Sequence, residues 1–516
     1  MTDALDTQHY DLIVVGGGIN GAGIARDAVG RGLSVLLCEA DDLASHTSSS
    51  STKLIHGGLR YLEQYEFKLV GKALSEREVL LRAAPHIIWP MRFVLPHQKH
   101  LRPAWMIRAG LFLYDHLGGR QTLASSHGVN FADHPAGQPL KRDLKKGFAY
   151  SDAWVQDARL VVLNAMDARE RGATILTHTR CESATRGAND WQVTLKTTAG
   201  ETIHATSTGL ANAAGPWAVR FLDDVATMDH NYALRLIKGS HIVVPKLFDH
   251  DFAYIFQQPD GRIVFAIPYE QDFTLIGTTD VEHTGAPGKV EIDQDEIDYL
   301  CDAANRYFEQ SIAPADVVWT YSGVRPLLDD KEDNASEITR DYQIQLDTKG
   351  APLLNVFGGK LTTYRRLAED AVDQIAPVLG NQSRAWTATG RPLPGGDEAR
   401  PQHLFEQLKN SHAWLPLGMA NRLVFNYGTR VRQILGDAQS LSDMGQHFGA
   451  DLYQAEVDYL VAQEWARTAE DIIWRRSKLG LRLADTDVAQ LTAYLEPHAS
   501  DKTQDQPLPE ARQRSA

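Results

Sequence analysis

The sequence has few cysteines, no surplus of positive charge and no long apolar run, and each shortage removes a class of protein. Only three of the 516 residues are cysteine. Cys38, Cys181 and Cys301 lie far apart and form no metal-ligating or redox spacing. They suit a reducing cytoplasm. Against 52 Lys and Arg stand 66 Asp and Glu, a formal net charge of −14. That balance argues against nucleic-acid binding by the whole molecule, although a local basic patch is still compatible with it. No apolar stretch approaches the roughly 18–20 residues of a spanning helix. The polar, acidic start MTDALDTQHYD also lacks the basic opening and apolar centre of a secretion signal. The expectation is a chain that is soluble or lies on a membrane surface without crossing it. No internal repeat is visible, and the tail from 497 to 516 lacks apolar periodicity and reads as disordered. What is present suffices for a large core: 43% of residues are hydrophobic and 23% charged. The length leaves room for two or three domains.

The chain opens on a nucleotide-binding pattern. YDLIVV (10–15) reads as a buried strand, GGGING follows, and AGIARDAVGRG reads as a helix. Gly16, Gly18 and Gly21 give the GxGxxG spacing, which serves a tight turn, close approach of a pyrophosphate and close helix–strand packing. The helix N-terminus offers free N–H groups and partial positive charge to phosphates. SVLLC (34–38) reads as a second strand, and Glu39 after it is placed to bond both ribose hydroxyls. A carboxylate there disfavours a 2′-phosphate, hence NADP.

Residues 48–61, SSSSTKLIHGGLRY, follow directly. Ser48, Ser49 and Thr52 can donate to phosphate oxygens, Lys53 adds charge, and Gly57 and Gly58 leave backbone free to lie against a flat ring. That combination suits a long cofactor such as FAD. Two later segments have a related look. TGLANAAGPW (208–217) reads as a strand end and Gly-Pro turn, which can close over the cofactor or be an ordinary turn. LLNVF (353–357), then GGK and LTTYRRLAEDAVDQI, form a second Gly-rich strand-to-helix turn, with Lys360 in it and Thr362 or Thr363 available as a cap. Its helix N-terminus can stabilise charge on a reduced flavin; a plain βα connection has the same outline.

Between them the character changes. SHIVVP, YIFQQPDGRIVFAIP and FTLIGTTD read as antiparallel sheet, with Pro259-Asp260-Gly261 as a turn. His241, Arg325 and Arg340 lie in or near this region, and arginine's planar fork suits phosphate. From Trp386 onward, beyond the linker GRPLPGGDEARP, the pattern is helical.

Taken in order, IVVGGGINGAGIARDA, SSSSTKLIHGGLRYLEQYEF, HLRPAWMIRAGLFLYDHLG, LIKGSHIVVP, IGTTDVE, WTYSGVRPL and VFGGKLTTYRRLAEDA closely resemble the bacterial aerobic, FAD-dependent glycerol-3-phosphate dehydrogenases, from about Tyr10 to Leu483. The chain departs at Ala214, where that family usually has threonine. The resemblance implies an α/β chain, α+β overall. It implies a glutathione-reductase-like Rossmann FAD domain (10–80, 150–225 and 335–385), an antiparallel-sheet substrate domain (81–149 and 226–334) and a C-terminal helical domain (386–496). It implies oxidation of sn-glycerol 3-phosphate to dihydroxyacetone phosphate, with electrons passing through FAD to ubiquinone or menaquinone at the inner face of the cytoplasmic membrane. A homodimer is compatible with it. Carried onto this chain, it puts Gly16, Gly17, Gly18, Ile19, Asn20, Gly21, Glu39, Ser48, Ser49, Lys53, Leu54, His56, Gly359 and Thr362 around FAD. It puts Arg60, Tyr61, His241, Arg325, Arg340 and Lys360 around the substrate.

Removing hydride from the alcohol carbon also requires removing the hydroxyl proton. His241 is the first candidate base, because imidazole titrates near neutral pH, and Arg325 suits the alkoxide or the phosphate. Arg60 and Lys360 complete the catalytic candidates. Competing readings are a glycerol-3-phosphate oxidase using molecular oxygen, an amino-acid oxidase of the same superfamily, and a non-catalytic flavin-binding protein. Two segments, 100–114 and 472–483, combine apolar and basic residues and are candidates for docking on anionic lipid.

Overall fold

The structure is a computed structural model that describes residues 8–98, 101–119, 122–277, 280–288, 290–329 and 341–497. Met1 to Thr7, Arg340 and the tail after Pro497 lie outside the described residues. Two sheets carry the architecture. The first has a parallel centre because its strands are joined by crossovers long enough to hold helices. Leu353–Phe357, Thr202–Asn212, His9–Val15, Val35–Cys38 and Thr174–Leu176 follow one another across it, all parallel. Val35–Cys38 is buried at every position, as a strand covered on both faces requires. Gln343–Asp347 adds an antiparallel edge, and Thr179–Arg186 with Trp191–Thr197 forms a meander beside Thr202–Asn212. The helices Ile19–Gly30, Asp157–Glu170 and Tyr364–Val378 pack on one another in the core beside this sheet.

The second sheet is antiparallel apart from one pair. Its order runs Val281–His283, Leu234–Pro245, Phe273–Gly277, Ile263–Tyr269, Ala253–Gln257, Ile88–Pro96, Lys146–Val155 and Leu54–Ile55. Trp319–Leu328 also pairs with Leu234–Pro245, and this register sets His241 opposite Tyr321. The antiparallel reading of 240–280 matches this sheet, with the turn at Pro259-Asp260-Gly261 between Ala253–Gln257 and Ile263–Tyr269. Two strands cross the division drawn from sequence. Leu54–Ile55 belongs to the second sheet, and a boundary at 149/150 would cut Lys146–Val155 in the middle. A short strand pinned into its neighbours leaves no composition shift to read.

After Trp386 the described residues form helices around a core of their own, including Leu423, Val457, Leu460, Ile472 and Leu491. This unit is joined to the first sheet by buried charge. Arg159 donates Nη2 to Glu464 at 3.0 Å. Asp42 accepts from Arg475 Nε at 2.6 Å and from Arg476 Nη1 and Nη2 at 2.6 and 2.7 Å. Burial alone would raise the Asp42 carboxyl, but the guanidiniums of Arg476 and Arg475 hold it below its ordinary value.

These bonds correct the lipid-docking reading of 472–483. Arg475 and Arg476 are buried against Asp42 and Asp471, Lys478 donates to the Trp474 carbonyl, and Arg482 bonds Asp272 at 2.7 Å. The basic residues face carboxylates of this chain because buried charge demands a partner. Asp42→Asn would leave the Arg476 charge, whose side chain has 0% exposure, with only the longer 3.8 Å carboxylate contact to Glu464. The expected cost is about 3–5 kcal/mol in urea unfolding of the flavin-loaded protein. A loss under about 1 kcal/mol would show that the pair does not hold the two units together.

Candidate active site

Where the strand His9–Val15 meets the helix Ile19–Gly30, the chain turns at Gly16. Its φ is +113°, and a Cβ added there would lie 2.5 Å from the Ala213 carbonyl oxygen. The turn opens onto a cavity of about 900 Å³ whose walls include Gly18, Glu39, Arg180, Trp217 and Gly359. That volume suits a large cofactor. Gly17 N–H donates to Glu39 Oε2 at 2.6 Å and Asp41 N–H to Oε1 at 2.9 Å, which fixes the carboxylate and leaves it lone pairs for ribose hydroxyls. Burial raises the Glu39 carboxyl, opposed by these two donors and by His46. Ser48 Oγ accepts from Ile19 N–H at 3.0 Å and so ties the 48–61 segment to the fingerprint helix. Asn20 Nδ2 donates to the Gly358 carbonyl at 3.0 Å, joining both Gly-rich turns, while Asn20 Oδ1 is buried without a hydrogen-bond partner. An orphaned acceptor on the wall, a helix N-terminus and a fixed glutamate fit a dinucleotide such as FAD.

The segment after Ser48 is held by one carboxylate. Lys53 Nζ sits 2.8 and 3.0 Å from the oxygens of Asp157, and both side chains are 1% exposed. Lys53 Nζ also donates to the Ser49 carbonyl at 3.1 Å, and Ser51 gives N–H and Oγ–H to Asp157 at 3.2 and 2.8 Å. The expectation that Lys53 holds the cofactor is therefore corrected: its charge is spent on Asp157, and it keeps a left-handed φ of 60° within that network. Ser49 turns its hydroxyl to the His46 carbonyl at 3.2 Å, and Leu54 is buried in the substrate-side core. Thr52 Oγ1 lies 3.0 Å from His241 Nε2 rather than on the dinucleotide cavity.

Two groups of basic side chains include the chain neighbours of Pro326 and Gly359, which line this cavity. In one, His241 is 3% exposed and stacks on Tyr321 with ring centres 4.6 Å apart, and its Nδ1 is buried without a partner. Burial lowers its pKa to about 3, with help from Lys53 and Arg325, so the ring is neutral at physiological pH. Arg325 forms an ion pair with Asp280 and is 43% exposed. In the other, Lys360 Nζ sits 4.0 Å above the Tyr61 ring, and His56 N–H donates to Thr362 Oγ1 at 3.3 Å. Burial, then Lys360 and Arg77, lowers His56 to about 4. Neither threonine caps the helix Tyr364–Val378 through its side chain; Thr362 serves His56 instead. Arg60 is exposed on the turn Leu59–Gln64.

Of the residues expected at FAD, Gly16, Gly18, Ile19, Asn20, Glu39, Ser48 and Gly359 line the cavity. Gly17 braces Glu39, and Gly21 packs against the Gly16 carbonyl. Of the substrate candidates that are described, Arg60, Tyr61, His241, Arg325 and Lys360 do not line the dinucleotide cavity, and Arg340 lies outside the described residues. Sequence reasoning missed Arg180, Arg220, Asp157 and Tyr321. The turn at 213–217 was weighed and does line the cavity; the strand carrying Arg180 has no motif that marks it.

Residues 11–365 match the family model described as FAD dependent oxidoreductase, and residues 387–500 match the C-terminal domain of alpha-glycerophosphate oxidase. Glycerol-3-phosphate dehydrogenase of Pseudomonas aeruginosa is 55% identical, over 94% of this chain and 95% of its own. D-erythritol 1-phosphate dehydrogenase of Brucella abortus is 50% identical, over 95% and 98%. The glycerol-3-phosphate dehydrogenase of Bacillus halodurans, solved with FAD, superposes with a TM-score of 0.75 at 27% identity, covering 98% of this chain and 97% of its own.

Gly359 has a φ of +99°, and its Cβ would fall 2.8 Å from Leu367 Cδ1 and 3.0 Å from Asn20 Nδ2. Gly359→Ala is expected to weaken FAD binding by about tenfold or more, read as flavin per protein after gel filtration. Full flavin content at limiting FAD would contradict this assignment of the wall.

Proposed function

We propose that this chain, which belongs to the family of FAD-dependent oxidoreductases, oxidises sn-glycerol 3-phosphate to dihydroxyacetone phosphate and passes the electrons to a membrane quinone, ubiquinone or menaquinone. One observation carries the reading. Two residues of the cavity wall, Pro326 and Gly359, are chain neighbours of two cations, Arg325 and Lys360. A phosphate dianion held there would lie beside the cofactor, and the names of the close relatives agree with a polyol phosphate.

FAD, when bound, supplies the hydride acceptor. The protein's part is to hold cofactor and substrate and to take the hydroxyl proton. The fingerprint N–H groups, Glu39 and Asn20 would hold the ADP half of the cofactor. Arg325 exchanges Asp280 for the substrate phosphate, and Arg60, Tyr61, Arg340 and Lys360 complete the anion site. His241 accepts the proton: in the tautomer whose Nε2–H donates to Thr52 Oγ1, Nδ1 has the free lone pair. The domain division is proposed with the same outline as above, shifted so that Lys146–Val155 goes wholly to the substrate unit.

Anaerobic sn-glycerol 3-phosphate is expected to bleach the flavin of the purified protein. His241→Ala should slow this by about 10²–10⁴-fold. Because the ring stays neutral far below its ordinary pKa, wild-type reduction at saturating substrate should not fall between about pH 8 and pH 5. A descending limb near the free-imidazole value would remove His241 as the base. Bleaching by D-erythritol 1-phosphate alone would move the substrate to the longer polyol. Oxygen uptake without added quinone would favour an oxidase.

No helix among the described residues is long and apolar enough to cross a membrane. The helix Ala104–Leu117 instead carries an exposed apolar stripe, with Trp105 70% and Phe112 58% exposed and Met106 and Leu113 beside them. Arg102 and Arg108 flank it, and Tyr65 and Phe67 extend the exposed apolar surface. Such a face suits peripheral docking on anionic lipid, on the cytoplasmic side. Wild-type protein should co-sediment with anionic vesicles at low salt and less at high salt, and Trp105→Ser with Phe112→Ser should cut the bound fraction about tenfold. Equal sedimentation of the double variant would remove this helix from the interface.

A further inference from the structure

The strand Phe273–Gly277 ends on a glycine whose φ lies outside the left-handed region, so no turn calls for it. A glycine in a sheet weakens the strand, and where it persists another group often comes close. The antiparallel register sets Gly277 directly opposite His241 on one side and Phe265 on the other, and sets His241 opposite Tyr321. Directly opposed residues share a face of the sheet. Tyr321, His241, Gly277 and Phe265 therefore form one row across neighbouring strands.

In that row the imidazole takes the place of the missing side chain. A Cβ added to Gly277 would lie 2.2 Å from Cδ2, 2.5 Å from Cγ and 2.9 Å from Cβ of His241, and these are the three atoms nearest to it. Carbon atoms pack best at about 3.5–4.0 Å, so all three contacts are overlaps. On its other side the ring lies parallel to Tyr321, with centres 4.6 Å apart and planes at 11°. Its Nε2 meets Thr52 Oγ1 at 3.0 Å. Tyr321 thus sets the plane of the ring, Thr52 its rotation within that plane, and Gly277 how far it leans across the sheet. A second strand glycine supports the arrangement. A Cβ on Gly323, two residues after Tyr321, would fall 2.5 Å from Ser50 Cβ, so its bareness lets the loop bearing Thr52 come close.

We infer that Gly277 is a positioning residue for the reaction: the absence of a side chain there gives His241 the slot from which Nδ1 reaches the substrate hydroxyl. The inference rests on the function proposed above, in which His241 takes that proton. The atoms that a side chain at 277 would meet are carbons of His241, so the glycine has no part in the chemistry and acts through the ring. One added methyl group can be accommodated only if the ring leaves Tyr321, turns away from Thr52, or forces the strands apart. A misplacement of about 1 Å at a reacting group can cost about 100-fold in rate. The proposed phosphate contacts on Arg325 and Lys360 do not include Gly277, so substrate affinity is spared.

The test is anaerobic bleaching of full-length, FAD-loaded protein by sn-glycerol 3-phosphate in four proteins: wild type, Gly277→Ala, His241→Gly and the double variant. Gly277→Ala is expected to slow the limiting rate about 10–100-fold, with the half-saturating concentration within about twofold of wild type. In the His241→Gly background, which removes all three overlapping atoms, adding Gly277→Ala should change the rate by less than about twofold. A Gly277→Ala rate near wild type, or an equal loss in both backgrounds, would overturn the inference. So would a loss confined to half-saturation, which would put the glycine at the substrate and not behind the base. If Gly277→Ala folds poorly or loses its flavin, the double variant should recover both, because the clashing ring is gone; an equally defective double variant would overturn the inference. Wild-type bleaching in His241→Gly would overturn the proposed base itself, a result distinct from a harmless Gly277→Ala.

Discussion

The site depends on the carboxylate of Asp157. It is 1% exposed and accepts from Lys53 Nζ, from Ser51 through both N–H and Oγ–H, and from Ala158 N–H at the start of its own helix. A buried lysine and a buried aspartate cost several kcal/mol each in lost hydration unless each satisfies the other and the remaining polar groups nearby. Here the network does so by fixing the conformation of residues 49–53. Everything functional on that segment takes its place from this: Ser48 on the fingerprint helix, Thr52 on His241, and the strand Leu54–Ile55 that carries His56 toward Thr362. Tyr321 closes the arrangement, donating to the Ser51 carbonyl at 2.8 Å with Lys53 Nζ 4.8 Å from its ring centre.

That dependence explains what could be read in advance. The fingerprint was legible because its parts are consecutive: strand, Gly16, helix and then Glu39 each constrain a neighbour in sequence. The antiparallel sheet was legible from alternation and a turn at Pro259–Gly261. Lys53 was misread because composition reveals that a charge exists but not which carboxylate answers it, and the partner is 104 residues away in sequence. Arg475 and Arg476 failed for the same reason. Next to Trp474 they look like a lipid-facing cluster, yet they neutralise Asp42, more than 400 residues earlier. Arg180 reaches the cavity from the strand Thr179–Arg186, whose place in the sheet leaves no local signature.

The same buried charges also fix the joint between the two units. Asp42 follows the second strand of the dinucleotide unit, and its bonds to Arg475 and Arg476 fix the turn Asp471–Arg476 against the 45–50 loop. Trp474 lies within that turn, so the pairing that joins the two units also brings Trp474 onto Trp319. Acid residues outnumber basic ones over the whole chain. Even so, many arginines are inside, paired with buried carboxylates, as Arg26 is with Asp167 and Arg365 with Glu76.

The central claim is that one anion site and one neutral imidazole, the latter held through Thr52 by the segment that Asp157 orders, face the same reacting carbon. The most direct measurement is a crystal structure of the FAD-loaded protein with dihydroxyacetone phosphate. The account predicts the phosphate on Arg325 and Lys360, with Asp280 released, and the product carbonyl oxygen within hydrogen-bond distance of His241. A phosphate bound elsewhere, with Arg325 still paired to Asp280 and His241 away from the carbonyl, would contradict it.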